Sequence, residues 1–237
     1  MYIDSTYLIF VLPAVILSLV AQYMVKNRFA TYNKVLSKRG VTGADAAALL
    51  LRANGITDVQ VQHIRGSLTD NYNPSTKILS LSDSTYFSTS IAAIGVAAHE
   101  TGHAIQHQVG YAPLVLRSTL VPAANIGSRF GPAMAILGLM FGASSQSAAG
   151  LWQLVTQVGI ILFAIAVAFY IITLPVEFDA SHRALKILKQ TSTLDSDELS
   201  GARKVLWAAA MTYVTSALTA VGNLIRLIIL SNRRNRR

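Results

Sequence analysis

Apolar runs separated by short basic or mixed stretches set the plan of this chain. Tyr7 to Val25 carries no charge, and Lys26, Arg28, Lys34, Lys38 and Arg39 follow it directly. Val121 to Phe141 is a second run, interrupted by Pro122, Arg129 and Pro132, and Leu151 to Leu174 is a third without any charge. Between these two, Gly142 to Gly150 is small and polar, as a short external turn would be. A charge inside a span needs a partner or a wet cavity, so either Arg129 has one or the helix starts later, near Phe130. Leu206 to Leu230 is a fourth run, bearing Asn223 and Arg226 and followed by Arg233, Arg234, Arg236 and Arg237. It is expected to cross or insert deeply, although a basic tail on the outer side opposes the charge rule; lying in the interface or re-entering is the alternative.

Residues 26–120 have a different texture. Thr42-Gly43-Ala44-Asp45 reads as a capping box ahead of Ala46 to Leu51, with Gly55 as a helix stop. Val59 to His63 alternates as a half-buried strand, Asn71 to Pro74 is dense in turn residues, and Lys77 to Leu81 reads as a second strand, taken as an edge. A helix is predicted from about Ser88 to Gln108. The unit has little core of its own and is expected to lean on the membrane helices.

Composition agrees with this plan. Of 237 residues, 52% are hydrophobic and 13% charged, against roughly 25% charged in soluble domains. A polytopic membrane protein follows, and disordered, collagenous and coiled-coil classes are excluded. The chain has no Cys, hence no disulfide and no thiolate metal site. Its net charge of +9 would suggest nucleic acid in a soluble protein; here it marks basic cytoplasmic loops, and no nucleic-acid partner is expected. Fourteen of the twenty Lys and Arg lie in residues 26–117 and 176–204, which places both segments on the cytoplasmic side and the N-terminus outside. The expected domains are an N-terminal transmembrane helix (1–25), a cytoplasmic α/β segment (26–120), a transmembrane hairpin (121–174), a connecting segment (175–205), and a C-terminal membrane helix with basic tail (206–237).

The chemistry stands in the predicted helix. His99-Glu100-Thr101-Gly102-His103 is an HExxH motif. Two His at i and i+4 share one helix face and can hold one zinc ion, while the intervening Glu can activate water. A catalytic zinc site needs a third protein ligand and an open position. The chain has three Glu, and Glu177, just after the third run, returns to the same membrane face as the motif if the hairpin forms. His107 continues the row but has drifted about 80° from His99, and Val109 stands where a metzincin would carry its third His. His182 is a candidate electrostatic helper, and His63 reads as a strand residue.

Asn71 to Pro74, Ile78 to Ser82, Ser90 to Ala93, Val96 to Glu100, Gly102 to Gln106, Leu174 to Ser181 and Gly201 to Leu206 together resemble the YugP-type family of bacterial membrane zinc metallopeptidases. More remotely they resemble the HtpX and CAAX prenyl-protease group, in which a Glu beyond a transmembrane hairpin completes the zinc site. The resemblance implies His99, His103 and Glu177 as ligands of one zinc ion per chain and Glu100 as general base. One departure is that Ser181 stands where the wider pattern has an Asp orienting the first His. Asp179 could substitute for it only from a non-helical turn.

The expected fold is therefore a mainly α, polytopic membrane protein: a helical bundle with a small α/β metallopeptidase unit on the cytoplasmic face. The expected activity is peptide-bond hydrolysis by a metal-activated water at that surface, in a multi-pass protein of the bacterial inner membrane. Its partners would be the bilayer and a peptide or membrane-protein substrate; no oligomeric state follows. Two alternatives stand beside it. One is a site-2-type intramembrane protease, although Asp179 is followed by Ala180 and not Gly. The other is a non-enzymatic membrane scaffold with a structural zinc, against which an open coordination position and an intact Glu100 both argue.

Overall fold

The structure, a computed structural model, describes residues 5–144 and 148–235. Asp4, part of the Gly142–Gly150 turn and the last two arginines of the tail lie outside the described residues. The chain is mainly helical: α1 (Ser5–Phe10), α2 (Leu12–Tyr32), α3 (Gly43–Ala53), β1 (Gln60–Ile64), β2 (Asn71–Asn73), β3 (Ile78–Ser82), α4 (Asp83–Tyr86), α5 (Ile91–Gln108), α6 (Ala112–Ser144), α7 (Ala149–Gln190) and α8 (Ser196–Asn235). Three helical stretches among the described residues are long and apolar enough to cross a membrane: Ser5–Tyr32, Ala149–Gln190 and Ser196–Arg233. α6 is not among them; its run contains Asn125, Ser128 and Arg129. It passes through Arg129 without a break, so the helix does not begin near Phe130.

The chain divides into two compact units. The first comprises residues 1–20, 116–174 and 213–237. Here α6 packs on α7 through small residues. A Cβ added at Gly127 would meet the Leu162 carbonyl oxygen at 2.1 Å, one at Gly138 the Thr156 hydroxyl oxygen at 2.3 Å, and one at Gly131 the Phe163 backbone nitrogen at 2.8 Å. With Ala135 fully buried between them, these positions form a small-residue stripe of the kind that lets membrane helices approach backbone to backbone. Phe163, Ala166 and Val167 of α7 and Ala220 and Leu227 of α8 complete its core.

The second unit comprises residues 21–115 and 175–212. α3 begins with the capping box read in the sequence: Thr42 Oγ1 accepts from Asp45 N at 3.1 Å, and Asp45 Oδ2 accepts from Thr42 N at 3.3 Å. The sheet order is β1-β3-β2, β1 pairing parallel and β2 antiparallel with β3. The Lys77–Leu81 segment is therefore not an edge but the central strand, and its side chains from Leu79 to Ser82 are buried, as in a strand covered on both faces. The turn residues Asn71–Asn73 themselves form one of the two edge strands, the other being β1. Asn73 serves both purposes, because its side chain accepts from Ser75 N and Thr76 N and starts the turn into β3.

This unit has a core of its own. Leu50 and Leu51 of α3, Leu79 and Leu81 of β3, and Ile91, Ile94 and Ile105 of α5 pack with Ala184, Ile187 and Leu188 of α7 and with Ala202 and Leu206 of α8. Each buried Leu or Ile contributes roughly 1.5–3 kcal/mol. The thin core expected for residues 26–120 is thus thickened by residues 184–206, a contribution invisible to a reading that ended the unit at 120.

Candidate metal centre

α5 carries the HExxH residues. Ser90 caps it, accepting from Ala93 N at 3.1 Å, and is itself fixed by Asn33 Oδ1 at 2.8 Å. The helix is then buried for most of its length, with small residues at Ala92, Ala93, Ala97 and Ala98. A helix enclosed on most sides holds its side chains in few rotamers, which is what a preorganised site needs.

α7 brings the other half. His99, His103 and Glu177 place one nitrogen or oxygen each within 4.8 Å of one another. His99 Nε2 lies 3.2 Å from Glu177 Oε2, and His103 Nε2 lies 3.7 Å from Glu177 Oε1. Ligand atoms at about 2.0–2.2 Å from one tetrahedral zinc lie about 3.3 Å apart, so the donor set and its spacing fit that ion. Glu177 is only 2% exposed.

The two helices meet backbone to backbone at the site. A Cβ on Gly102 would stand 2.4 Å from the Ala180 carbonyl oxygen. Residue 102 lies between the two His, and residue 180 between Glu177 and Ser181, so this contact sets how near the halves come. Gly102→Ala is expected to force α5 and α7 apart, costing about 1–3 kcal/mol. A lowered Tm together with weakened zinc binding would show it; a variant with unchanged zinc affinity would disconnect the crossing from the site.

The surroundings of the ligands differ. His99 Nδ1 lies 3.1 Å from Ser181 Oγ. His103 Nδ1 lies 3.0 Å from Gln106 Oε1, and Gln106 Nε2 bonds both the Val176 carbonyl and Asp179 Oδ2, each at 2.8 Å. Arg183 Nε reaches the same Asp179 oxygen at 2.6 Å. Asp179 therefore lies on an intact helix and meets the site through Gln106, not from a non-helical turn. Gln106 was not singled out as a site residue by the sequence. The available signal was a polar side chain three residues after a ligand, on the same helix face.

Glu100 is 8% exposed. Burial pushes its carboxyl above the ordinary range, against the pull of the His99 and His103 rings. For His103, burial disfavours the charged ring, but the Glu177 carboxylate outweighs it and the net direction is upward. The remaining histidines lie elsewhere. His107 Nδ1 pairs with the Tyr72 hydroxyl at 2.8 Å, and His63 with Asp83 at 2.6 Å. His182 is exposed, five residues past Glu177 and so about 140° round α7 from it. Glu198, the other buried Glu outside the cluster, accepts from Lys38 N and Asp195 N at the start of α8.

A family model described as "Putative neutral zinc metallopeptidase" matches residues 7–232. The "Putative membrane protease YugP" of Bacillus subtilis (strain 168) is 44% identical over 214 residues, which is 90% of this chain and 91% of that protein. No solved structure matches the chain.

Proposed function

From the premise that the chain belongs to this zinc metallopeptidase family, we propose that it hydrolyses peptide bonds at the cytoplasmic surface of the bacterial inner membrane, as a multi-pass protein. The observation that carries the reading is the convergence of His99, His103 and Glu177 on one point beside a buried Glu100. A zinc ion bound there supplies Lewis acidity, polarising a carbonyl and easing deprotonation of water. Glu100 takes a proton from the attacking water and delivers it to the departing amine. Burial raises its carboxyl, the direction that suits a group which must both accept and release a proton. His182 is retained as an electrostatic helper only if substrate binding brings charge to its exposed position.

An extended substrate would add to a free sheet edge. With β3 central, β2 is the edge packed against α5, through Tyr72 and His107. The cytoplasmic placement rests on the basic residues of 26–117 and 176–204.

The intramembrane alternative is less well supported, since α5 is not among the helices apolar and long enough to span. The scaffold alternative is tested with the same protein. Detergent-purified protein stripped with a zinc chelator is expected to lose hydrolysis of an unstructured polypeptide and regain it with one equivalent of zinc. Hydrolysis that survives stripping, or that zinc never supports in any membrane-derived polypeptide pool, would sink the proposal.

A further inference from the structure

The hydrogen bonds around Gln106 determine more than its own position. Gln106 is fully buried, and its amide nitrogen faces two groups that can only accept, the Val176 carbonyl and the Asp179 carboxylate. A side-chain amide has two N–H donors on nitrogen and only acceptor capacity on oxygen. Turning it over would set its oxygen against a carbonyl and a carboxylate, so the orientation is fixed by its neighbours and not by choice. Its oxygen therefore faces His103 Nδ1 and can only accept. It follows that His103 Nδ1 carries the hydrogen, which in the neutral ring leaves the lone pair on Nε2, the nitrogen that points to Glu177.

The chain of contacts continues outward. Asp179 also accepts from Arg183 Nε, and the Arg183 guanidinium lies 5.7 Å from the centre of the Tyr111 ring. Asp179 is thus held in one place, and it holds Gln106 in turn. His99 has no equivalent. Its Nδ1 meets the Ser181 hydroxyl, which can donate or accept and so selects neither tautomer.

We propose that Gln106, oriented by Asp179 and Arg183, is the positioning residue that holds His103 in the tautomer and ring orientation required for metal ligation. This rests on reading His99, His103 and Glu177 as the metal site. The two imidazoles are then unequal: one is fixed by a three-residue relay across two helices, the other by a single rotatable hydroxyl.

The test compares Gln106→Leu, Gln106→Glu and the double variant Gln106→Glu/Asp179→Asn. In the single Glu variant two carboxylates face each other and the donor is lost. In the double variant the amide introduced at 179 removes the facing of two carboxylates, while the Val176 carbonyl stays without its donor and Arg183 loses its charged acceptor. Zinc affinity, measured by chelator competition, is expected to fall about 10–100-fold in Gln106→Leu and Gln106→Glu and to recover in part in the double variant. Nitrogen NMR of histidine-labelled, zinc-loaded protein gives an independent readout. An exchange-protected proton on His103 Nδ1 is expected in wild type and double variant and is expected to lose protection in both singles. Circular dichroism checks that helicity is kept; if the Leu variant does not fold, the Glu single and the double variant still decide. Equal zinc affinity in wild type and the singles overturns the assignment, as does a His103 Nδ1 proton equally protected in all three. A wild type that binds no zinc would instead remove the metal reading beneath it.

Discussion

Glu100→Gln is expected to bind zinc as tightly as wild type and to hydrolyse peptide about 10²–10⁴-fold more slowly, the usual worth of a positioned general base. The substitution keeps the size of the side chain and leaves all three ligands in place, but an amide oxygen cannot take a proton from water. The contrast is sharp because Glu100 is buried beside the ligands. A solvent carboxylate has no easy route to replace it. The measurement is turnover of a quenched fluorescent peptide, with elemental analysis of zinc in the same preparations. A slow variant with full zinc assigns the base; wild-type turnover would move that role to another group; zinc lost along with activity would mean that residue 100 supports the ligand set.

Glu177→Ala acts on the metal itself. It removes one of three ligands and also the carboxylate lying between two imidazoles in a site only 2% exposed at that residue. Two histidines remain, one turn apart on α5. Zinc affinity should fall by more than the roughly 10–100-fold typical of a change outside the ligand set, so that metal near one equivalent in wild type drops to a small fraction after dialysis. Retention of a full equivalent would require a ligand from elsewhere, and His107, Asp179 and His182 would be the groups to change next.

The parts of this site that a sequence shows are those whose geometry is local or forced. His99 and His103 share a face of one helix because i and i+4 always do. Glu177 could be nominated because Glu is scarce in this chain and because the pattern of Lys and Arg returns its segment to one side. The parts that were hidden depend on contacts between helices distant in the chain. Gln106 reads as an ordinary polar residue after a motif, and only the arrival of Val176 and Asp179 gives its amide a direction. Asp179 itself was expected to need a break in the helix, since its angle on α7 differs from that of Glu177; a bridging side chain removed the need. The order of the three strands was hidden for another reason. A three-residue strand of Asn-Tyr-Asn carries turn residues and too little alternation to be told from the turn it adjoins, so the strand beside it was taken for the edge.

The division of the ligands between α5 and α7 also fixes when the centre can exist. A chain is made from its N-terminus, and His99 and His103 emerge well before Glu177, with the apolar stretches of α6 and α7 still to come. Until those stretches have left the ribosome, the nascent protein holds two of the three residues proposed to bind the metal, together with Glu100, and its core lacks the leucines and isoleucines of residues 184–206. On the proposed reading, proteolysis waits for α7: a chain stalled or cut short ahead of it has the whole HExxH helix but not Glu177.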